Sequence, residues 1–355
     1  MKFDLDEQQL AFQQGVADYL AAECPPSRAL LPHNTGQPDL ELWQALMDLG
    51  MGGIMVPKQH GGLGLGLLDL AVVMEPIGRF AVPGPFLDHA LATLALVLAG
   101  NEGQRAEWLP PLVTGEKRAT IALAEDKGEW FAEQWALQAA PTLTGEKHHV
   151  LHAEGADLIV VGLVGGKLGL VRGDAPGLTI TPTLSTDAGK QLCTVAFADT
   201  PCDLLDGAAG ARLVDAGLVL LAADAFGGAS QTIDMAVAYA CEREQFGRPI
   251  GSFQGLKYQV VDTAITIAPA VGLYWFAAHV WDTDPASASL QAAMAKSLIT
   301  ENYARATRQA IEAHGGIGYT WEYGAHVWLK RALFNQAYLG MPRALRMRSA
   351  EFLEW

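Results

Sequence analysis

The sequence predicts an α+β protein with a helical N-terminal domain, a small β domain in the middle and a C-terminal bundle of four helices. The spacing of the apolar residues leads to this prediction. They recur with helical periodicity toward both ends of the chain, and they form short runs between turn residues in the middle. The predicted domains cover residues 1–118, 119–208 and 209–355.

The N-terminal domain is predicted to be helical because its apolar residues lie three or four positions apart. Phe12, Val16 and Leu20 illustrate this spacing, which places them on one face of a helix. Prolines and glycines separate the successive apolar segments. The middle domain is predicted to contain strands at five short apolar runs, which cover residues 119–123, 157–164, 168–173, 177–183 and 193–197.

The C-terminal domain is predicted to consist of long helices. Leu213–Glu242 contains no proline and is rich in Ala, Leu and Val, as expected for the central helix of a bundle. Further helices are predicted over Gly255–Trp281 and Ala286–His314, the latter ending at a glycine pair. A last helix is predicted to begin near Glu322.

Composition excludes several classes of protein. The chain has 355 residues, of which 50% are hydrophobic and 18% charged, which is typical of a well-packed globular protein. Its net charge of −15 and its lack of a Lys/Arg run argue against a nucleic-acid surface. An anionic ligand such as a coenzyme A ester could still bind through a local patch of positive charge.

The cysteines, histidines and apolar segments predict a cytoplasmic protein without a metal site or a membrane span. The four cysteines show no CxxC spacing, which argues against a zinc site and a disulfide framework. His148, His149 and His152 have no acidic or cysteine partner at ligand spacing. The N-terminus lacks an apolar signal core, and no run of about 18 apolar residues follows.

Two segments of the C-terminal domain predict a site for a large anionic cofactor. The first is REQFGRPIGSFQ at Arg243–Gln254, and the second is EAHGGIGYTWE at Glu312–Glu322. An arginine supplies a fixed fork of donors for a pyrophosphate, and glycines allow the backbone to approach it closely.

These segments resemble two signatures of the flavin-dependent acyl-CoA dehydrogenases, and the resemblance covers nearly the whole chain. LGMGGIMVPKQHGGLGL at Leu49–Leu65 and WLPPLVTGEKRATIALAE at Trp108–Glu125 are similar to the family's N-terminal domain and its junction with the β domain. The resemblance implies FAD as the cofactor. It also implies these FAD-binding residues: Arg243, Phe246, Gln254, Glu312, Gly315 and Gly316.

Glu312 departs from the family pattern, because the family commonly has a glutamine there. A carboxylate near a pyrophosphate is repulsive unless it is protonated or paired with a cation. Glu242 precedes the first segment and Glu244 lies within it, and both are interpreted as solvated charges at a helix end.

The resemblance also implies where the catalytic base should lie. In this family a carboxylate removes the proton α to the thioester, the flavin takes a hydride from the β carbon, and donors polarise the carbonyl. The usual position of the carboxylate corresponds to Leu339, in the turn Tyr338–Met341. A minority of relatives carry it on the central helix, at a position that corresponds to Gly217. Neither residue can accept a proton, so this chain is predicted to contribute no catalytic residue.

The flavin-side elements of the β domain are also altered. The family's Thr-Glu-Pro-x-x-Gly-Ser-Asp loop corresponds to a segment that starts Ala124-Glu125-Asp126. Its Gly-x-Lys-x-Trp-Ile-Thr-Asn strand corresponds to Gly145–His152, which lacks the tryptophan and the threonine. In this family each FAD lies at a dimer interface, and the neighbouring subunit's helical domain supplies the arginine, phenylalanine, glutamine and glycine-pair elements.

The resemblance therefore leads to the hypothesis of a heterotetramer in which a paralogous acyl-CoA dehydrogenase subunit carries the base and the flavin pocket. Heteromeric members of the family typically act on bulky, steroid-like acyl-CoA substrates. The electron acceptor implied by the resemblance is an electron-transferring flavoprotein. Two alternatives remain open: a self-sufficient homo-oligomeric dehydrogenase whose displaced base is Glu244 or Asp224, and an inactive scaffold protein.

Overall fold

The structure is a computed structural model that describes residues 4–32, 38–139 and 141–353. The chain divides into two compact units. The first unit comprises residues 1–36, 71–82 and 218–355, and the second comprises residues 37–70 and 83–217. The predicted fold class is confirmed: helices come first, then a small sheet region, then helices again. The predicted domain boundaries stay a prediction.

Some of the N-terminal helices begin at capping residues that the sequence supplies. The helices are α1 (Glu7–Glu23), α2 (Pro26–Ala29), α3 (Leu40–Asp48), α4 (Leu67–Arg79), α5 (Phe86–Ala99) and α6 (Glu102–Val113). Before α1, the Asp6 carboxylate accepts the Gln9 N–H at 2.8 Å and the Gln9 side chain accepts the Asp6 N–H at 3.0 Å. Asn101 and Gln104 form the same reciprocal pair before α6. Each pair satisfies two backbone donors that a helix end leaves unbonded.

The β region consists of two small sheets. Its strands are β1 (Ala119–Ala122), β2 (Thr142–Leu151), β3 (Leu158–Leu163), β4 (Lys167–Arg172), β5 (Leu178–Thr183), β6 (Leu192–Pro201) and β7 (Asp203–Leu204). One sheet has the order β1-β3-β4-β7, with β1 and β3 parallel, and the other has the antiparallel order β2-β6-β5. All five runs predicted as strands are confirmed. Apolar residues of both sheets share one core, which includes Leu143, Ile159, Val161, Val195 and Phe197.

The C-terminal elements carry the segments of functional interest. They are α7 (Gly210–Glu242), β8 (Glu244–Gln245), β9 (Arg248–Pro249), α8 (Gln254–Ile267), α9 (Val271–Thr283), α10 (Pro285–His314), α11 (His326–Ala337) and α12 (Pro342–Phe352).

Two details of the predicted helices are wrong. The helix predicted over Gly255–Trp281 is interrupted by a 3-10 turn at Ala268–Ala270, where Pro269 has no N–H to donate to the preceding turn. The last predicted helix begins at His326 rather than near Glu322, because Gly324 has a φ of 76° that a right-handed helix cannot contain.

Helices α4 and α7 cross with their backbones in contact. A Cβ atom at Gly78 would lie 1.9 Å from the carbonyl oxygen of Asp224, and one at Gly227 would lie 1.9 Å from that of Glu75. Neither position tolerates a side chain. The crossing brings Glu75 of α4 within hydrogen-bond reach of the Tyr274 hydroxyl on α9.

Among the residues that the structure describes, two helical stretches are long and apolar enough to cross a membrane by length and composition alone. In Gly210–Glu242 the most apolar window is 94% buried, as in the core helix of a soluble protein. In Gln254–Thr283 the corresponding window is only 28% buried, so α8 and α9 expose an apolar surface. Its exposed members include Tyr258, Val261, Ile265 and Phe276.

His89 links α5 to α6 and β1 in its neutral form. Its Nε2 donates to the Leu112 carbonyl oxygen at 3.0 Å, and its Nδ1 accepts the Ala119 N–H at 3.2 Å. The ring is fully buried, and this burial lowers the pKa of His89 from 6.5 to about 4. Protonation would replace the acceptor at Nδ1 with a donor and break the bond to Ala119.

We expect this histidine to weaken the fold as the pH falls. The unfolded chain binds a proton at His89 below pH 6.5, whereas the folded chain does so only near pH 4. The free energy of unfolding should therefore fall by about 3 kcal/mol between these values. Urea unfolding can measure this pH dependence of the free energy of unfolding. His89→Gln should abolish it between pH 6.5 and pH 4, whereas the exposed control His279→Gln should retain it. An unchanged slope in His89→Gln would contradict the assignment.

Candidate cofactor-binding surface

The first predicted segment forms a hairpin that follows α7 directly. β8 and β9 pair through Gln245 and Arg248, so Phe246 and Gly247 form a two-residue turn. Both turn residues have positive φ, 55° and 77°, as a type I′ turn requires. This conformation suits glycine but is unusual for phenylalanine. It presents Phe246 outward with 92% of its surface exposed.

Aromatic and cationic contacts hold the hairpin against the start of α8. The Phe246 and Phe253 rings lie edge to face with centroids 6.1 Å apart, and the Arg248 guanidinium carbon lies 4.1 Å from the Phe253 centroid. The Ile250 N–H donates to the Arg243 carbonyl oxygen at 2.8 Å. Arg243 therefore lies on an ordered segment, which continues to Gln254, the first residue of α8. Both residues are exposed.

The second predicted segment leaves backbone open to solvent. α10 ends at His314, and Gly315 has a φ of 64° and a ψ of −141°, which favours glycine. Nothing lies within 4 Å of the position that a Cβ atom would take at Gly315 or Gly316. Glu312, in the last turn of α10, is exposed as well.

Both segments lie at the same end of the helical unit. Tyr239 in the last turn of α7 stacks on His314 with ring centroids 4.4 Å apart. The Thr263 hydroxyl of α8 donates to the Gln309 side chain of α10, so α8 and α10 pack side by side. The structure thus brings together the two segments that carry all six predicted residues. We call this exposed end, with Arg243, Phe246, Gln254, Glu312, Gly315 and Gly316, the cofactor surface.

The cofactor surface fits one end of a dinucleotide such as FAD. The exposed guanidinium of Arg243 can donate to pyrophosphate oxygens, and the glycine pair offers backbone without side-chain hindrance. Phe246 offers an apolar ring. The exposed carboxylate of Glu312 would repel an anion, so a bound pyrophosphate would depend on the cations of the hairpin.

In the β region, the two side chains that match the family pattern bind each other. Lys147 Nζ lies 2.8 Å from Glu125 Oε1 and 2.8 Å from the Leu123 carbonyl oxygen. Glu125 Oε1 also accepts the backbone N–H groups of Ala136 and Leu137 at 3.0 and 2.9 Å. Glu125 and Lys147 therefore fasten β2 to the segments around it, which is a structural role.

The pKa values of this pair reflect its environment. Burial raises the pKa of Glu125, but the hydrogen bonds from Lys147, Leu137 and Ala136 outweigh it and leave the pKa below its usual value. Burial lowers the pKa of Lys147 despite the opposing attraction of Glu125. This pair was not predicted from the sequence. A signal for it was present, since the altered loop motif keeps its glutamate, Glu125, and the altered strand motif keeps its lysine, Lys147.

The histidines on β2 and just after it have local partners. His149, at the position of the family's tryptophan, has a φ of 56° and stacks on Trp130 at 5.7 Å. His152 is buried, with Nδ1 3.3 Å from the Asp88 carboxylate of α5. His148 lies 3.6 Å from Glu146. Within the part of the chain that the structure describes, no group of three His, Cys, Asp or Glu side chains could hold a metal ion.

The two family positions for the base are occupied by buried residues without a titratable group. Leu339 has no exposed surface and a φ of 56°, and Gly217 is buried within α7. The buried Lys296 of α10 donates to the carbonyl oxygens of Gln336, at 3.0 Å, and of Gly340. Burial lowers the pKa of Lys296 to about 7. These two bonds hold the turn around Leu339.

The two alternative bases differ in their surroundings. Asp224 is buried, and its carboxylate accepts from the Arg331 guanidinium at 2.5 and 3.1 Å and from the Asn335 amide at 2.5 Å. Arg331 also donates to the Val82 carbonyl oxygen at 2.7 Å. The bonds to Arg331 and Asn335 give this carboxylate a structural role. Glu244 is exposed on the hairpin.

Comparisons with known proteins agree with the arrangement of the fold. Residues 6–116 match the family description "Acyl-CoA dehydrogenase, N-terminal domain", and residues 212–353 match "Acyl-CoA dehydrogenase, C-terminal domain". The chain is 31% identical over 351 residues to "Acyl-CoA dehydrogenase IpdE2" of Mycolicibacterium smegmatis, which covers 98% of this chain and 99% of that protein.

Two solved structures are similar over almost the whole chain. The "Tcur3481-Tcur3483 steroid ACAD" superimposes with a TM-score of 0.90 at 28% identity, covering 98% of each chain. The "ChsE4-ChsE5 complex from Mycobacterium tuberculosis" superimposes with a TM-score of 0.92 at 25% identity, covering 100% of this chain and 99% of that chain.

We expect Asp224→Asn to destabilise the fold, because it leaves the Arg331 charge buried without its counter-charge. Breaking a buried pair on one side costs about 3–5 kcal/mol. Thermal and urea unfolding should show this loss, and Asp224→Asn combined with Arg331→Met should recover much of it. The matched control is Asp234→Asn, which breaks the partly exposed pair with Arg79 at 2.7 Å and should cost about 1 kcal/mol or less. Equal losses for the two aspartates would contradict a structural role for Asp224.

Proposed function

The chain belongs to the acyl-CoA dehydrogenase family, whose cofactor is FAD, and from this premise we propose that it is the base-lacking subunit of a heteromeric enzyme. Its cofactor surface contributes to an FAD site whose flavin pocket and catalytic carboxylate belong to a paralogous subunit. The assembled enzyme introduces an α,β double bond into an acyl-CoA thioester. The cofactor surface carries the proposal, since its six residues are exposed at one end of the unit.

The residues at the base positions support the non-catalytic role. The proton at the α carbon needs a carboxylate acceptor, and Leu339 and Gly217 have none. Asp224 is buried and its carboxylate binds Arg331 and Asn335, so it is not placed to reach a substrate. The self-sufficient alternative therefore depends on the exposed Glu244.

The exposed apolar surface of α8 and α9 supports association with another chain. A continuous apolar face of this kind is usually covered in a stable assembly, because burial removes it from water. Its exposed residues Tyr258, Val261 and Ile265 recur along one side of α8. We propose that this surface forms part of the subunit interface, in a heterotetramer in the cytoplasm.

When bound, FAD supplies the acceptor for the hydride that leaves the β carbon of the thioester. Arg243 would donate to the pyrophosphate, Gly315 and Gly316 would let the backbone approach the dinucleotide, and Phe246 and Gln254 would flank it. These contacts bind and orient the cofactor. A carboxylate of the paralogous subunit removes the proton from the α carbon. This chain therefore neither donates nor accepts a proton in the reaction.

The substrate class and the electron acceptor are also proposals. The similar structures named as a steroid ACAD and as the ChsE4-ChsE5 complex support a bulky, steroid-like acyl-CoA and a two-chain assembly. An electron-transferring flavoprotein is the proposed acceptor. An inactive scaffold role is the remaining alternative.

Co-expression with a paralogous chain tests the proposal directly. We expect the isolated chain to lack stoichiometric FAD, and the co-purified complex to hold fewer FAD molecules than subunits, with a flavin absorbance that steroid-like acyl-CoA bleaches. Stoichiometric FAD and steady oxidation of an acyl-CoA by the isolated chain would refute the base-lacking role. A complex that no acyl-CoA reduces would favour the scaffold alternative.

Substitution of Arg243 tests the donated contact. Arg243→Ala should weaken FAD binding by the complex about tenfold to a hundredfold, since a charge-assisted hydrogen bond contributes about 1.5–3 kcal/mol. The dissociation constant can be measured by flavin fluorescence during reconstitution of the apo complex. Arg343→Ala, which removes an exposed arginine on α12, is the matched control and should leave it unchanged. Equal effects of the two substitutions would refute the contact.

A further inference from the structure

Three aromatic side chains join the ends of α7 and α10 behind the cofactor surface. The Tyr239 and His314 rings stack with an interplanar angle of 28° and centroids 4.4 Å apart. Tyr323 lies 4.6 Å from His314 and 6.1 Å from Tyr239, with its edge toward the Tyr239 ring. His314 is buried, whereas the two tyrosines are half-buried.

Hydrogen bonds fix the orientation of the histidine. Nδ1 of His314 lies 2.6 Å from the Ala310 carbonyl oxygen and must donate to it, so Nε2 of the neutral ring is an acceptor. Nε2 lies 2.7 Å from the Tyr323 hydroxyl, which donates to it. Burial lowers the pKa of His314, and burial together with Tyr239 and Glu242 raises the pKa of Tyr323. Both groups are thereby kept in the protonation states that this bond requires.

Two members of the cluster are close in sequence to a residue of the cofactor surface. Tyr239 accepts the Arg243 N–H at its carbonyl oxygen, at 2.8 Å. His314 immediately precedes Gly315. The glycine pair has no side chain to hold its own position, and nothing lies within 4 Å of either missing Cβ atom. The position of that backbone therefore depends on the residues before and after it.

We infer that Tyr239, His314 and Tyr323 form a brace that positions the Gly315–Gly316 backbone relative to Arg243 for FAD binding. This inference rests on the proposed function. The three residues are positioning residues, since they act through the glycine pair and Arg243. A site that already has its binding geometry loses less conformational entropy when the ligand binds. The brace therefore increases the affinity for FAD.

The test uses the complex of this chain with its paralogous subunit. We expect Tyr323→Phe, which removes a single oxygen atom, to weaken FAD binding by up to about tenfold, the worth of one net hydrogen bond. His314→Leu should weaken it further, and His314→Gln, which keeps a donor and an acceptor, should recover part of the loss. Hydrogen exchange of the apo complex should speed up across Gly315–Tyr319 in Tyr323→Phe and His314→Leu. Arg343→Ala, on the exposed side of α12, is the control for a side chain lost elsewhere and should change neither readout.

The result with Arg243→Ala separates the inference from the proposed function. Arg243→Ala could weaken FAD binding while Tyr323→Phe and His314→Leu leave the affinity for FAD and the hydrogen exchange unchanged. That result would refute the brace and leave the proposed role of the cofactor surface supported. If Arg243→Ala has no effect on FAD binding, the proposed role of the cofactor surface is refuted, and the brace is refuted with it. If His314→Leu prevents assembly, Tyr323→Phe decides: an affinity equal to that of the unsubstituted complex refutes the brace.

Discussion

The contact between the backbones of α4 and α7 is the constraint on which the helical unit depends. Gly78 and Gly227 lie where any side chain would collide with a carbonyl oxygen of the other helix. This close approach places Asp224 inside the unit, where a charge is tolerable because Arg331 and Asn335 bind it. The same helix α7 then runs on to Tyr239 and the hairpin, so the position of the cofactor surface follows from the crossing.

The residues that match the family pattern divide into two physical groups. Glu125 and Lys147, in the altered β-region motifs, bind each other and fasten backbone segments, which explains how the fold can keep them without a flavin contact. Arg243, Gly315 and Gly316 are exposed, and open space surrounds the missing Cβ atoms of the two glycines. Exposed residues on an ordered segment are candidates for contact with a ligand or a partner. The proposed heteromer supplies both.

Charge and hydropathy contribute in different ways to this interpretation. The net charge of −15 makes local cations such as Arg243 and Arg248 important for any anionic cofactor. The apolar surface of α8 and α9 lies on the helix pair that begins at Gln254, so a subunit covering it would be guided by apolar burial rather than by charge. Affinity for the cofactor and association of subunits would thus depend on different forces at neighbouring places.

The sequence by itself determined the order of helical and β regions, because the period of apolar burial differs between helices and strands and is visible without tertiary contacts. It also predicted the two cofactor segments, and it places Leu339 and Gly217 at the positions that the family resemblance assigns to the base. Only the tertiary structure decided that the segments meet at one end of the unit, that Asp224 is bound by Arg331, and that Tyr239, His314 and Tyr323 join two helix ends. These contacts link residues far apart in the chain, and helix packing, which no local pattern records, determines which of them touch.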